Sequence, residues 1–144
     1  RENDTSVYTS SKNDMEKKLI ETDTCIIRVA NLFSMDENDT HNVICKLKDK
    51  AKLNETILVD TSQYIFPTEV NILAEKIMEF IDDGNDTKEV NFFGEPMKIE
   101  ELYKLIGGSK ISYIKSPIIF NVNKFLQNSI HVNCKDKILL KIKD

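Results

Sequence analysis

The stretch 70–81 limits what this chain can fold into more than any other. Val70, Leu73, Ile77, Phe80 and Ile81 recur at helical spacing, and Glu69, Asn71, Glu75, Lys76 and Glu79 fall on the other face. That is the pattern of an amphipathic helix. A helix of this length holds only when its apolar stripe is covered, so the rest of the chain must supply a surface for it. Thr68 is placed as its N-cap and Gly84 as its stop, although Asp82 and Asp83 oppose the dipole at that end. A second helix is signalled by Pro96 near its start and by Ile99, Leu102, Tyr103 and Ile106 on one face. Glu100 stands four before Lys104, and Gly107 terminates the pattern.

The covering surface is expected to be sheet. Residues 24–33, with Cys25, Ile26, Ile27 and Val29, read as a buried strand. Val43, Cys45 and Leu47 alternate with Lys46 and Lys48 as a second strand, and residues 57–60 form a third. Residues 88–93 lie between the helices as a short strand. Residues 110–114, 117–123, 129–134 and 137–143 follow as four more, with Pro117 at a strand start or edge. Strands at both ends and helices in the middle predict an α+β domain. Its sheet is a mainly antiparallel meander continued by the C-terminal strands, and the two central helices pack on one face. Residues 1–18 are polar, without apolar spacing, and read as a flexible N-terminal tail. The single folded domain is then 19–144.

Composition narrows the function classes. A chain of 144 residues that is 40% hydrophobic and 31% charged can bury its own core without metal or a dense disulfide framework. It holds no apolar run long enough to span a membrane and no signal peptide, and a start at Arg1 rather than Met reads as an excised or processed piece. A net charge of -4 argues against nucleic acid as partner. Two Arg against 18 Lys, with 13 Asn, suggests the codon usage of an AT-rich genome, that of a pathogen or virus.

Sequons at Asn3, Asn38, Asn54 and Asn85 lie in polar stretches suited to glycosylation. They number four, against about 1.6 expected from the Asn, Ser and Thr content. Three cysteines match no zinc or redox spacing. In an oxidising compartment Cys25 and Cys45 would pair, leaving Cys134 as a free thiol. In a reducing one all three are small buried hydrophobes.

Motifs for chemistry fail one after another. The acidic loop at Asp36 has His41 where an EF-hand needs Gly and Leu47 where it needs Glu. Gly107-Gly108-Ser109-Lys110 follows a helix, whereas a phosphate loop precedes one. His131 and Cys134 would point to opposite faces of a strand, and His41 and Cys45, four apart across a loop-to-strand junction, are placed little better. No catalytic, cofactor-binding or metal residues are assigned, and no cofactor is expected. Tyr64, Phe66, Phe92, Phe93 and Tyr113 remain as a candidate interface, with strand addition at Tyr113. The expected function is a non-enzymatic protein-binding domain on a cell or virion surface or outside the cell, its partner another protein. An intracellular adaptor or assembly domain, and an enzyme without a recognisable motif, are the alternatives.

Overall fold

A computed structural model of the chain describes residues 7–84, 86–117, 120–127 and 129–144. The elements run α1 (Val7–Leu19), β1 (Ile26–Val29), β2 (Leu32–Phe33), α2 (Val43–Lys52), β3 (Ile57–Asp60), β4 (Tyr64–Ile65), β5 (Thr68–Glu69) and α3 (Val70–Asp82). They continue with β6 (Glu89–Phe93), β7 (Met97–Lys98), α4 (Ile99–Ile106), β8 (Ile111–Ile114), α5 (Val122–Leu126), β9 (Ser129–His131) and α6 (Lys135–Lys143).

The pairing is mainly parallel. One sheet has the order β1-β6-β9, with Val29 beside Phe92 and Phe93 beside His131. Two further parallel pairs join β2 to β5 and β3 to β8, and among the described residues only β4 with β7 is antiparallel. This overturns the expected antiparallel meander. The cause lies in two segments read as strands. Residues 43–48 belong to α2, where Ile44 and Leu47, three apart, are the buried pair. Asn42 caps this helix by accepting the Cys45 N–H at 2.9 Å. Residues 137–143 belong to α6, which buries Ile138 and Lys141. The helix α2 lies between β2 and β3, and a helix between two strands lets the chain return parallel, whereas a strand there would return it antiparallel; α6 follows β9 and takes the place of an expected last strand.

Helices lie on both faces of the β1-β6-β9 sheet, another departure from expectation. On one face the α3 ring of Phe80 meets Phe92 edge-on at 5.7 Å. On the other, α1 is tied to β1 by Glu16 and Arg28, which is an ion pair at 2.7 Å. Residues 7–18, read as part of a tail, are thus helical. The helix carries no buried side chain, so it leaves no apolar stripe in the sequence. Phe33, Ile44, Leu47, Val59, Phe92, Leu102, Tyr103, Val132 and Cys134 join one core between the sheet and helices α2, α4 and α6. Gly107 closes α4 at φ 109°, where a side chain would be strained. Glu69, not Thr68, caps α3 through its side chain.

Candidate functional site

In an open parallel sheet, ligands bind where the connections leave the carboxyl ends of the strands. Here those ends are Val29, Phe93 and His131, and residues 66–69 cross above them. Asn31, left-handed at φ 52°, accepts the Phe66 N–H on Oδ1 at 2.8 Å and the Thr68 N–H on its carbonyl at 3.1 Å. The Thr68 hydroxyl donates to the Phe66 carbonyl at 2.7 Å and accepts the Gly94 N–H at 2.9 Å. Cys134 accepts the Glu69 N–H on sulfur at 3.2 Å. Burial pushes its thiol upward, with the Glu69 N–H working the other way. Glu69 is 1% exposed; one oxygen accepts the Ile72 N–H, and the other is buried without a hydrogen-bond partner. The crossing is thereby bonded to the ends of β1 and β6 and to the segment after β9.

Two side chains with proton chemistry stand on the first turns of α1, beside β1. Thr24 donates from Oγ1 to the Leu19 carbonyl at 3.2 Å, and Glu16 lies against Arg28. The helix α1 therefore runs back along β1, and its first turns stand toward the strand's carboxyl end. Those turns carry Tyr8 and Lys12, four residues apart on one face, with Lys12 Nζ 5.7 Å from the centre of the Tyr8 ring. Both line an open groove of about 350 Å³ together with Met15, Glu16, Cys25 and the β1 strand. A phenol can give or take a proton at a ligand oxygen, and an ammonium one turn away is placed to balance the oxyanion left behind. Sequence reasoning missed both residues. The signal was Tyr8 and Lys12 at a one-turn spacing, hidden in a stretch read as tail.

At the outer ends of β6 and β9, His131 Nε2 lies 2.9 Å from Glu95 Oε1. Beside it Phe93 stacks on Phe125 at 4.9 Å, and Phe66 meets both rings. Phe120 links Phe125 to Tyr64, over whose ring Lys98 sits at 5.6 Å. Of the expected interface residues, Tyr64, Phe66 and Phe93 are thus gathered into one cluster. Phe92 lies apart in the core, and Tyr113 stands exposed on β8.

The remaining expected sites are scattered. Asn38 and Asn54 are exposed, and Asn3 and Asn85 lie outside the described residues. The expected Cys25–Cys45 disulfide is corrected: all three cysteines are free, with Cys25 exposed at the groove, Cys45 half-buried on α2 and Cys134 buried. The acidic loop at 34–41 is closed by the protein's own cation. Lys141, 3% exposed, donates to the Asp36 carbonyl at 2.9 Å. Asp39 accepts the Ser34 N–H and the Asn42 amide, and these bonds, with Lys141 nearby, hold its carboxyl below the ordinary aspartate range. Among the described residues, no group of three His, Cys, Asp or Glu could hold a metal ion, and no helix is long and apolar enough to cross a membrane.

Residues 1–95, which include Tyr8, Lys12 and the crossing at 66–69, match the model of the RmlD substrate binding domain. The chain belongs to that family. This overturns the expected protein-binding interaction domain, as the free cysteines overturn its disulfide. Among solved structures, the fold is similar to a hypothetical dTDP-4-dehydrorhamnose reductase from Sulfolobus tokodaii, with 20% identity, a TM-score of 0.58, and coverage of 79% of this chain and 42% of that one. A dTDP-glucose 4,6-dehydratase from Bacillus anthracis, in complex with NAD, shares 14% identity and a TM-score of 0.61 over 96% of this chain and 51% of that one. A UDP-N-acetylglucosamine 4-epimerase from Methanobrevibacter ruminantium, in complex with UDP-N-acetylmuramic acid, shares 19% identity and a TM-score of 0.60 over 96% and 53%. The chain spans about half the length of these structures. No curated protein matches it.

Proposed function

We propose that the chain is the sugar-side half of a nucleotide-sugar-processing enzyme. Its substrate lies at the carboxyl ends of β1, β6 and β9, and Tyr8 exchanges a proton with a sugar oxygen beside Lys12. The observation that carries this reading is that Tyr8 and Lys12 share one helix face and one groove with β1, inside the residues matched to the family. The structural relatives are named as a reductase, a dehydratase and an epimerase of nucleotide sugars, so a shared oxygen-centred proton transfer suits all three.

One of those relatives holds NAD. A dinucleotide pyrophosphate needs glycines where a strand turns into a helix, so that backbone can approach it. In this chain Gly94 is occupied by the Pro67 carbonyl, and Gly107 and Gly108 follow the end of α4, with Gly108 against the Tyr103 ring. These glycines do not make a dinucleotide cradle, and the chain's own contribution is to the sugar side.

Calorimetric titration of the full chain with dTDP-glucose, UDP-glucose, dTDP and glucose tests the reading. One of the nucleotide sugars is expected to bind saturably and more tightly than glucose or free dTDP. Tyr8→Phe is expected to keep that binding, because it removes only the proton-bearing oxygen. A chain that binds none of the four contradicts the proposal.

A further inference from the structure

Arg28 is the only arginine besides Arg1, and it is placed between three elements. Its Nε and Nη2 donate to the two carboxylate oxygens of Glu16 on α1 at 3.1 and 2.7 Å, and Nη2 also lies 3.5 Å from Glu89 on β6. The Arg28 and Glu16 side chains are only 24% and 20% exposed. No side chain of α1 is fully buried; Thr9, Asn13, Glu16 and Leu19 form its half-buried face, and of these Glu16 makes the charged contact to β1.

A guanidinium fork gripping both oxygens of one carboxylate fixes direction as well as distance, which a single ammonium contact does not. Tyr8, Lys12 and Glu16 follow one another at four-residue intervals and so form one stripe along α1. Whatever fixes the rotation of Glu16 therefore fixes the rotation of Tyr8, about 12 Å further along the helix. We infer that the Glu16–Arg28–Glu89 clamp is the positioning device of this site, holding α1 so that Tyr8 and Lys12 face the groove. Arg28 and Glu16 are positioning residues that act through α1. The inference rests on the functional reading above for what the positioned groups do, but not for the clamp itself.

The test uses the full chain with Glu16→Gln, Arg28→Lys and Glu89→Gln. Amide exchange of residues 8–19 is expected to quicken about tenfold in Glu16→Gln and Arg28→Lys, with a smaller change in Glu89→Gln, while β6 amides keep their rates. A merely structural role would raise exchange across the sheet as well. The second readout is position. A nitroxide on Cys25, which lines the groove, in a Cys45→Ser background, is expected to broaden the Tyr8 ring resonances with Glu16 intact and to lose that effect in Glu16→Gln. Unchanged exchange at 8–19, or broadening of Tyr8 that survives Glu16→Gln, overturns the clamp. Loss of dTDP-glucose and UDP-glucose binding in the wild type would instead defeat the functional reading and leave these two readouts standing.

Discussion

Replacing Gly94 with alanine tests the packing that builds the floor of the site. Gly94 follows β6 directly and passes under the crossing at Pro67 and Thr68. A Cβ built on it would overlap the Pro67 carbonyl oxygen, stand 2.8 Å from the carbonyl carbon and come within 3.2 Å of Thr68 Oγ1. The first two are backbone atoms. That backbone cannot swing aside, because Phe66 and Thr68 on either side are bonded to Asn31. The added methyl must instead push the crossing off the sheet. Overpacking of this kind costs about 1–3 kcal/mol, and losing the Gly94 N–H bond to Thr68 adds about 1 kcal/mol. Urea denaturation of Gly94→Ala should therefore show a loss of about 2–4 kcal/mol. Gly84→Ala serves as the control: nothing lies within 4 Å of its Cβ, so only its φ of 68° resists the change, at about 1 kcal/mol. A Gly94→Ala protein as stable as wild type would refute the tight crossing and, with it, the floor of the site.

Three further outcomes follow. Lys141→Ala should lose about 2 kcal/mol, because it removes the bond to Asp36 and a buried stem, whereas Lys141→Met should stay within about 1 kcal/mol of wild type; equal losses in thermal melts would make the charge, not the stem, decisive. The folded Asp39 carboxyl lies below its unfolded value, so its stabilising effect is complete above the ordinary aspartate range and disappears as pH falls through the lower folded value. Exchange in residues 34–41 should accordingly quicken in that acidic window, and Asp39→Asn should abolish the dependence. A thiol reagent should modify Cys25 quickly and leave Cys134 protected in the native state, since Cys25 is exposed and Cys134 fully buried. Peptide mapping that finds Cys25 and Cys45 linked would contradict the structure.

Elements were legible where burial and period agree. The stripes of α3 and α4 survive in the structure at Val70–Asp82 and Ile99–Ile106, and β6 and β3 appear where alternating or β-branched runs place them. The helix α2 was not legible, because over six residues Val43, Cys45 and Leu47 alternate like a strand while the buried residues are Ile44 and Leu47. The helix α6 hides its inner face behind a lysine, since Lys141 is buried beside the acidic loop and pattern rules place lysine outside. Misreading α2, which lies between β2 and β3, turned a helical connection into a hairpin strand, and misreading α6 added a strand after β9 that the sheet does not have; the fold class went with them. The aromatic cluster was partly legible from Tyr64, Phe66 and Phe93. Tyr8 and Lys12 were not, because α1 is held by an ion pair at Arg28 in place of a buried stripe.

In the proposed function a nucleotide sugar sits at the carboxyl ends of β1, β6 and β9, within reach of Tyr8. Amide and side-chain chemical-shift mapping of the full chain, titrated with dTDP-glucose and with UDP-glucose, tests it most directly. The expected shifts cluster at Tyr8, Lys12, Asn31, Thr68 and Gly94 and leave β8 unmoved. Saturable shifts centred on Tyr113 and β8, with Tyr8 and Asn31 unchanged, would contradict it.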